Sequence, residues 1–221
     1  MTIASNCSFR FIFIIATSVL AGHAVAGDFS PWYIGGNVGQ STNSTDDDRI
    51  TTGIYNGGIT TGGKLIVTGI LNNDSSTGYK LFGGYQINSH FAIEAGYVNL
   101  GKLGFTAYTN PTGSLTGVLK PESVVVDGLA SWAVDEKTAL YARAGIAANH
   151  VEANFSNAGA VQILRPSYSD DSAGYTFGIG ASRSLGEAVE LRLEGESYHL
   201  NDSVNHHENI TLISLGMIYR F

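Results

Sequence analysis

The stretch SLGMIYRF, residues 214–221, alternates side chains of two kinds, and the three residues before it continue the pattern. The more apolar side chains occupy every second position: Thr211, Ile213, Leu215, Met217, Tyr219 and Phe221. Between them lie Ser214, Gly216 and Arg220, which are small or polar, with Leu212 and Ile218 as the exceptions. A period of two residues is that of a β-strand with one apolar face. The pattern therefore predicts a terminal strand whose apolar face runs to its last position.

Seven further segments show the same alternation. Each has the length, roughly ten residues or more, that a tilted barrel strand needs to cross a membrane. These segments are Trp32–Gln40, Thr77–Asn88, His90–Gly101, Ser123–Val134, Thr138–Asn154, Ala173–Leu185 and Ala188–Leu200. With the terminal segment, the sequence predicts eight strands.

The links between the eight segments alternate between short and long. Three are turns of a few residues, at Asn88–Ser89, Asp135–Lys137 and Gly186–Glu187. The other four are longer, at Ser41–Ser76, Lys102–Glu122, Phe155–Ser172 and Asn201–Glu208. Short periplasmic turns and longer outside loops are typical of an up-and-down barrel in the outer membrane. A Greek-key sandwich has no reason to alternate in this way, because its long connections cross between sheets.

Aromatic residues indicate which face of the sheet points outward. Trp32, Tyr85, Trp132, Tyr219 and Phe221 all lie on the apolar face, near the short-turn ends of their strands. An aromatic girdle occupies this position at a membrane interface. In lipid the sheet must close so that no strand edge is left unpaired. The predicted fold is therefore all-β, an eight-stranded antiparallel up-and-down transmembrane β-barrel.

The first 26 residues predict a secretory signal peptide. Arg10 supplies the positive n-region, Phe11–Ala21 the apolar core, and Ala24-Val25-Ala26 a small-x-small cleavage site. His23 stands where a lipoprotein would carry its lipidated cysteine, so a lipoprotein is excluded. We expect residues 1–26 to be removed on export and residues 27–221 to form the barrel domain.

Composition narrows the function classes. The only cysteine, Cys7, lies in the predicted signal peptide, so we expect no disulfide in the exported protein. The net charge is −7 and no basic stripe is present, which argues against nucleic acid as a partner. Charged residues make up 14% of the chain, low beside the roughly 25% usual in soluble domains.

The strand parity also predicts a polar interior. The charged residues predicted to point inward are Lys80, Glu94, Asp127, Arg143, Glu190, Arg192, Glu194, Glu196 and Arg220, beside Asn37, Gln86 and Ser131. We expect the charges to pair, because an unpaired buried charge costs several kcal/mol. One hypothesis is a packed core that fixes the shape of the barrel, since eight-stranded interiors are filled by side chains. The alternative is a narrow leak past glycines such as Gly145, Gly178, Gly180 and Gly216.

Five stretches resemble the transmembrane domain of OmpA-type outer membrane proteins. They are WYIGGNVGQ (32–40), FGGYQINSHFAIEAGYVNLGK (82–102), ALYARAGI (139–146), RLEGESYHL (192–200) and SLGMIYRF (214–221). The resemblance covers nearly all strands but none of the first three long loops. It implies export to the Gram-negative outer membrane, with periplasmic chaperones and the assembly machinery as partners. The terminal Ser214, Gly216, Tyr219 and Phe221 resemble the signal that this machinery reads.

The resemblance also implies a site inside the barrel. In the family, a strand-3 glutamate and a strand-7 arginine form an ion pair linked to ion conductance, and their matches are Glu94 and Arg192. The family's alternative partners, a lysine and a second glutamate, fall at Leu129 and Ser182, a departure that puts a partner-swapping gate in doubt. OmpA itself continues into a peptidoglycan-binding domain, whereas this chain stops at Phe221, so we expect no cell-wall tether.

Candidate chemical sites are sparse. Ser197 and His199, with Glu208 to orient a histidine, could form a lipid-modifying acyl-transfer site, but two such residues without an oxyanion site are a weak signal. His206-His207-Glu208 could contribute metal ligands, but adjacent residues of an extended chain point to opposite sides and the sequence shows no second cluster. Asp46-Asp47-Asp48 lacks the spacing of a calcium loop and is interpreted as an exposed acidic run that could bridge divalent ions at the lipopolysaccharide surface. We therefore expect no enzyme activity, no metal and no cofactor.

The sequence thus predicts a monomeric structural or surface-exposed protein of the cell envelope. Its partners are outer membrane lipid and lipopolysaccharide, and its four outer loops suit an extracellular ligand. The first of these loops, Ser41–Ser76, contains Lys64–Leu71, apolar enough to form a hairpin above the membrane. A low-conductance pore for ions or small solutes is the alternative function.

Overall fold

The computed structural model describes residues 30–43, 66–110, 112–161, 166–201 and 207–221. These residues form ten strands: β1 Trp32–Asn43, β2 Ile66–Asn73, β3 Ser75–Gln86, β4 Phe91–Asn99, β5 Leu103–Asn110, β6 Gly113–Ala133, β7 Thr138–Gly159, β8 Ser167–Ser184, β9 Val189–Asn201 and β10 His207–Arg220. The predicted signal peptide, the acidic run Asp46–Asp48 and His206 lie outside the described residues.

Eight of the ten strands close into an antiparallel barrel. Around the ring the order is β1, β3, β4, β6, β7, β8, β9 and β10. The register of β1 with β10 runs from Tyr33↔Arg220 to Asn43↔Ile210, and pairing of β6 with β7 closes the ring on the other side. The predicted eight-stranded up-and-down barrel is confirmed. No helix long and apolar enough to cross a membrane occurs among the described residues.

Short turns join the strands at one end of the barrel, as the sequence predicts. They comprise residues 87–90, 134–137 and 185–188. In the second turn, the Oδ1 atom of Asp135 accepts hydrogen bonds from the backbone N–H groups of Lys137 (2.8 Å) and Thr138 (2.7 Å). These two donors hold the pKa of the Asp135 carboxyl below its usual range. Asn88 makes the same contacts in the first turn, to His90 and Phe91.

The outer wall of the barrel is apolar. Ile179 is 72% exposed and Leu215 58%, exposures that suit a wall surrounded by lipid. Near the short turns, Trp32 and Tyr85 meet edge to face with ring centroids 4.9 Å apart. Near the long loops, Tyr79 and Tyr97 form a second aromatic pair, 6.2 Å apart. The aromatic girdle predicted at the short-turn end is confirmed, and Tyr79 and Tyr97 show aromatic residues at the opposite interface as well.

Beyond the membrane, the wall continues on one side as a sheet that we call the outer extension: β2, β5 and the outer ends of β6, β7 and β8. β6 has 21 residues and β7 has 22, about twice the length that crossing requires. β5 pairs with residues 113–119 of β6, and β2 pairs with β5. Ala107, Leu115 and Val161 form a small buried core there. Of the predicted hairpin at Lys64–Leu71, the described residues form β2, which pairs with a strand of the second long loop, and residues 44–65 lie outside the described residues.

The strand β6 changes partner at Pro121. Its pairing with β4 ends at Asn99↔Glu122, and its pairing with β5 starts at Leu103↔Leu119. Proline has no N–H group to donate to a neighbouring strand, so the position between two partners tolerates it. The strand thereby extends outward past its predicted start at Ser123.

Candidate functional site in the barrel interior

Three layers of side chains fill the barrel. Towards the long loops lies an outer apolar layer of nine residues, each between 0 and 6% exposed: Val98, Leu100, Leu103, Val125, Ala147, Tyr198, Leu200, Ile210 and Leu212. Towards the short turns lies an inner apolar layer: Tyr33, Phe82, Ala92, Leu129, Tyr141 and Ile218. Between them is a charged layer: Lys80, Glu94, Asp127, Arg143, Arg192, Glu194 and Glu196. Most of the buried charges therefore lie in the middle of the interior, while polar side chains such as Ser41 and Ser123 lie beside the outer apolar layer.

Arg143, on β7, lies at the centre of the charged layer. Its Nη2 atom is 2.5 Å from Asp127 Oδ2 and 3.1 Å from Glu94 Oε2. Its Nη1 atom is 2.9 Å from Glu194 Oε1, and its Nε atom is 3.2 Å from Glu196 Oε1. One guanidinium thus contacts four carboxylates from three strands, β4, β6 and β9. The planar fork of arginine suits such multiple contacts, where a lysine would present a single point charge.

Glu94 and Arg192, which the family resemblance pairs, are in contact in the structure. Arg192 Nη1 is 2.7 Å from Glu94 Oε1 and 3.2 Å from Glu194 Oε1. The Arg192 guanidinium also lies over the rings of Phe82 (5.2 Å) and Tyr141 (4.8 Å) of the inner apolar layer. Glu94 and Arg192 therefore do not form an isolated pair, because Glu94 also contacts Arg143 and Arg192 also contacts Glu194.

Lys80 completes the charged layer on the side of β3. Its Nζ atom is 2.6 Å from Glu196 Oε1 and 3.7 Å from Asp127 Oδ2. Thr176 donates a hydrogen bond to Asp127 as well. Three cations thus face four carboxylates, all at most 4% exposed. Charges at such depth are stable only when paired, and each of the seven has a partner of opposite charge. Hydrogen bonding is incomplete, because Glu94 Oε2, Arg192 Nε and Glu196 Oε2 have no hydrogen-bond partner among the described residues.

Hydroxyl groups of the inner apolar layer connect it to the charged layer. Tyr33 donates a hydrogen bond to Glu94 (2.9 Å), and Tyr141 donates one to Glu194 (2.6 Å). The rings of Tyr33 and Tyr141 pack in the inner apolar layer, and their hydroxyl groups donate hydrogen bonds to two carboxylates of the charged layer.

Glu190 and Arg220 form a separate pair at the short-turn mouth. Their side chains are 3.0 Å apart, and Arg220 also donates to Gln86 (3.4 Å). They line a cavity of about 300 Å³ that opens at this end and also borders Ser131 and Arg192. The structure therefore does not bring these two predicted lumen residues into the charged layer.

Comparison with known proteins agrees with this architecture. Residues 28–221 match the family model of the OmpA-like transmembrane domain. The chain belongs to this family. It is thus an outer membrane β-barrel of the OmpA-like type.

Thirty-four solved chains are similar in structure to this OmpA-like barrel. Neisserial surface protein A is 14% identical, with a TM-score of 0.54, over 88% of this chain and all of that one. OprG from Pseudomonas aeruginosa is 13% identical, with a TM-score of 0.50, over 88% and 98% of the two chains. The outer membrane protease OmpT from Escherichia coli is 11% identical, with a TM-score of 0.46, over 88% and 98%. At these identities the likeness concerns the fold alone. No curated protein matches the sequence significantly.

The family's alternative ion partners are absent from this OmpA-like barrel at the matching positions, because Leu129 and Ser182 stand there, both buried. Arg143 and Glu194 are instead the second partners of Glu94 and Arg192. The strand parity in the sequence placed both residues inside the barrel, but only the three-dimensional structure shows that Arg143 is central.

The residues of the predicted assembly signal lie on both faces of β10 and just beyond its end. Tyr219 and Phe221 are half exposed on the lipid-facing side, with ring centroids 5.5 Å apart. Ser214 is buried and accepts a hydrogen bond from Asn37 (3.4 Å). A Cβ atom at Gly216 would overlap the side chain of Asn37, so only glycine fits this position.

The two candidate acyl-transfer residues that can be described lie near the outer end of β9. The His199 ring stacks on Tyr175 with centroids 4.3 Å apart, and its Nδ1 atom is hydrogen-bonded to Asn209. The side chain of Glu208 lies outside the described residues. No cluster of three or more His, Cys, Asp or Glu side chains suited to a metal occurs in the described part of the chain.

Proposed function

We propose that this OmpA-like barrel is a non-enzymatic, non-conducting protein of the outer membrane whose rigid wall supports an outer interaction surface. The observation that carries the proposal is the outer apolar layer. Nine apolar side chains, nearly inaccessible to water, lie between the charged layer and the outside.

An ion crossing the barrel would meet two kinds of obstacle. In the outer apolar layer it would have to shed most of its hydration shell among mainly apolar side chains, which is how hydrophobic constrictions exclude ions. In the charged layer it would have to displace a guanidinium that contacts four carboxylates. Both obstacles support a filled interior that serves to hold the wall in shape.

The outer extension supports the proposal that the barrel carries an outer interaction surface. β6 and β7 run well past the membrane and carry β5 and β2 beside them, so part of the outer surface is a sheet continuous with the barrel wall. Interaction surfaces are commonly built from loops on such rigid scaffolds. The partner of this surface is an extracellular molecule or a component of the envelope.

Planar-bilayer recording of the purified protein tests the proposal. We expect no discrete conductance steps, with a large porin in the same bilayers as the positive control. Regular steps from the wild-type protein would overturn the proposal.

A narrow pore is the second candidate, and the cavity of about 300 Å³ at the short-turn mouth favours it, because it already opens the interior up to Arg192. If steps occur, Glu94→Ala and Arg192→Ala decide whether this pair forms a gate. Steps of unchanged size and frequency in both variants would defeat the gate.

Enzyme activity is tested separately. The His199 ring is held by Tyr175 and Asn209, an arrangement that suits a fixed interfacial side chain better than a general base. We expect lipid A mass spectra of cells overproducing the protein to match those of cells overproducing Ser197→Ala. A new lipid A mass with the wild-type protein alone would contradict the non-enzymatic assignment.

A further inference from the structure

A second cavity opens on the lipid-facing side of the barrel at its outer rim. It has a volume of about 280 Å³, and we call it the rim cavity. Its lining residues are Ser76, Thr77, Asn99, Gly101, Lys102 and Lys120. It lies where β3 and β4 leave the membrane and the chain turns into β5.

The position of the rim cavity relative to the bilayer follows from the aromatic pair below it. Thr77 lies two residues beyond Tyr79, and Asn99 two residues beyond Tyr97, on the same outward faces of β3 and β4. Tyrosines on a barrel wall mark the boundary between acyl chains and headgroups. Two strand residues add about 7 Å. The rim cavity is therefore at the depth of lipid headgroups.

The backbone of the rim cavity is fixed by its own hydrogen bonds. Gly101 has a φ of 80°, and its N–H donates to Asn99 Oδ1 (2.9 Å). The N–H of Lys102 donates to Ser76 Oγ (2.9 Å). A Cβ atom at Gly101 would overlap Ser76 and Thr77, so the tight turn requires glycine there. The turn therefore fixes the position of the Lys102 backbone at the rim cavity.

At the rim cavity, the ammonium group of Lys102 is available to bind an anion. Lys120 Nζ is 3.4 Å from Glu152 Oε2, in a pair whose side chains are 39% and 53% exposed, and Glu122 accepts a hydrogen bond from Asn99 (3.0 Å). Within the described residues, Lys102 has no carboxylate at ion-pair distance. Exposed pairs such as Lys120–Glu152 are weak, so Lys120 can turn to a stronger anion.

The outer ends of β7 and β8 provide a contrast. There His150 is 2.6 Å from Asp171, next to Asp170 along the chain, so acidic groups predominate. Among the described residues of the outer rim, the lysines lie on the side of the rim cavity, together with the Thr77 hydroxyl.

We propose that the rim cavity binds a phosphate group of lipopolysaccharide. A lipid phosphate is the anion that a membrane offers at this depth, and lysine ammonium groups with a hydroxyl donor are the chemistry that binds it. The assignment of this site does not depend on whether the barrel conducts ions or on what binds the outer extension.

The test measures binding of bisphosphorylated lipid A to the full-length barrel in detergent micelles, with divalent cations chelated. Lys102→Ala combined with Lys120→Ala removes both ammonium groups, and Lys137→Ala, in a short turn at the opposite end, is the matched control. At about 1 kcal/mol for each lysine at a membrane surface, we expect roughly thirtyfold weaker binding by the double variant and no change in Lys137→Ala. Dephosphorylated lipid A should bind the wild-type protein as weakly as bisphosphorylated lipid A binds the double variant.

Two further measurements, together with the comparison of phosphorylated and dephosphorylated lipid A, separate the explanations. Lys102→Gln combined with Lys120→Gln keeps two polar side chains of similar length, so a comparable loss shows that the charge matters, and an unchanged affinity overturns the proposal. Equal binding of phosphorylated and dephosphorylated lipid A by the wild-type protein also overturns it. So does displacement of lipid A by low-millimolar inorganic phosphate, because the site would then be one for free phosphate. The heat-dependent shift in gel mobility and far-ultraviolet circular dichroism verify that each variant is folded.

Discussion

The charged layer and the outer apolar layer occupy the same lumen and are built by the same strands, yet they differ in what they contribute. The charged layer is directional: Arg143 alone connects side chains of β4, β6 and β9. The outer apolar layer is non-directional and fills space without specific pairs.

In a soluble protein the apolar layer would be the main source of stability. In a membrane barrel the closed ring of backbone hydrogen bonds is a further requirement, because no strand edge can stay unpaired in hydrocarbon. From this comparison we infer that the charged layer specifies which side chains pair across the lumen, and thereby the relative positions of the strands that carry them. The outer apolar layer excludes water and ions.

Removal of Arg143 should have the largest effect on stability. In Arg143→Leu, four carboxylates would be left with only Lys80 and Arg192. Breaking a buried ion cluster in this way costs about 3–5 kcal/mol, because uncompensated charge stays buried. Urea titration of the barrel in lipid vesicles measures the free energy of unfolding, with the exposed Arg183→Leu as the control, which should change it little.

Truncation in the outer apolar layer should cost less. For Leu212→Ala we expect about 2–3 kcal/mol, the lower part of the range for a buried leucine. The same urea titration measures it, with the lipid-facing Leu215→Ala as the matched control. A cost equal to that of Arg143→Leu would remove the distinction between the two layers.

The Glu94–Arg192 pair should show weak coupling. Each member has a second partner, Arg143 for Glu94 and Glu194 for Arg192. A double-mutant cycle with Glu94→Gln and Arg192→Met should therefore give a coupling energy near 1 kcal/mol, towards the low end of the range for residues in contact. A coupling of about 3 kcal/mol would show that the pair acts alone, as a two-residue gate would require.

The smallest effect should come from an exposed carboxylate. Since the turn lowers the pKa of Asp135, its stabilising contribution is present above the pKa of the unfolded chain and is lost as the pH falls through the lower folded value. Urea midpoints measured from pH 6 downward should therefore fall less in Asp135→Asn than in the wild-type protein. Asn88→Asp should add a fall of the same sign in the equivalent turn, and an unchanged pH profile in both variants would contradict this role.

Much of the barrel could be predicted from the sequence, because a lipid-facing strand requires an apolar side chain at every second residue. A wall residue must be apolar wherever its side chain faces lipid, so alternation reveals both the strands and their orientation. The turns were equally visible, since residues such as Asp135 and Asn88 satisfy the backbone in tight turns.

The layering of the interior was not predicted. Leu212 and Ile218 share the inward parity of Ser214 and Gly216, so the signal was present, but in the alternating pattern an inward apolar residue looks like an interruption. Which inward residues meet across the lumen depends on the stagger between strands, and alternation along one strand does not report it. For the same reason Arg143 could be assigned to the interior but not to its centre.

The outer extension was missed for a different reason. Outside the membrane no lipid enforces alternation, and Pro121 resembles the end of a strand. Pairing of β2 with β5 joins segments of two different loops, a long-range contact that a local pattern does not show.

The seam between β1 and β10 has a consequence for biogenesis. It joins Tyr33 to Arg220 and, beyond the strands, Ser30 to Phe221, so the first and last described parts of the polypeptide become neighbours. Until they meet, a half-made ring would bring two rows of unsatisfied amides and carbonyls into hydrocarbon, which is prohibitive. The closed barrel is therefore the form of this protein that is stable in the bilayer. Any intermediate with β1 and β10 still unpaired must be shielded from lipid until these two strands pair.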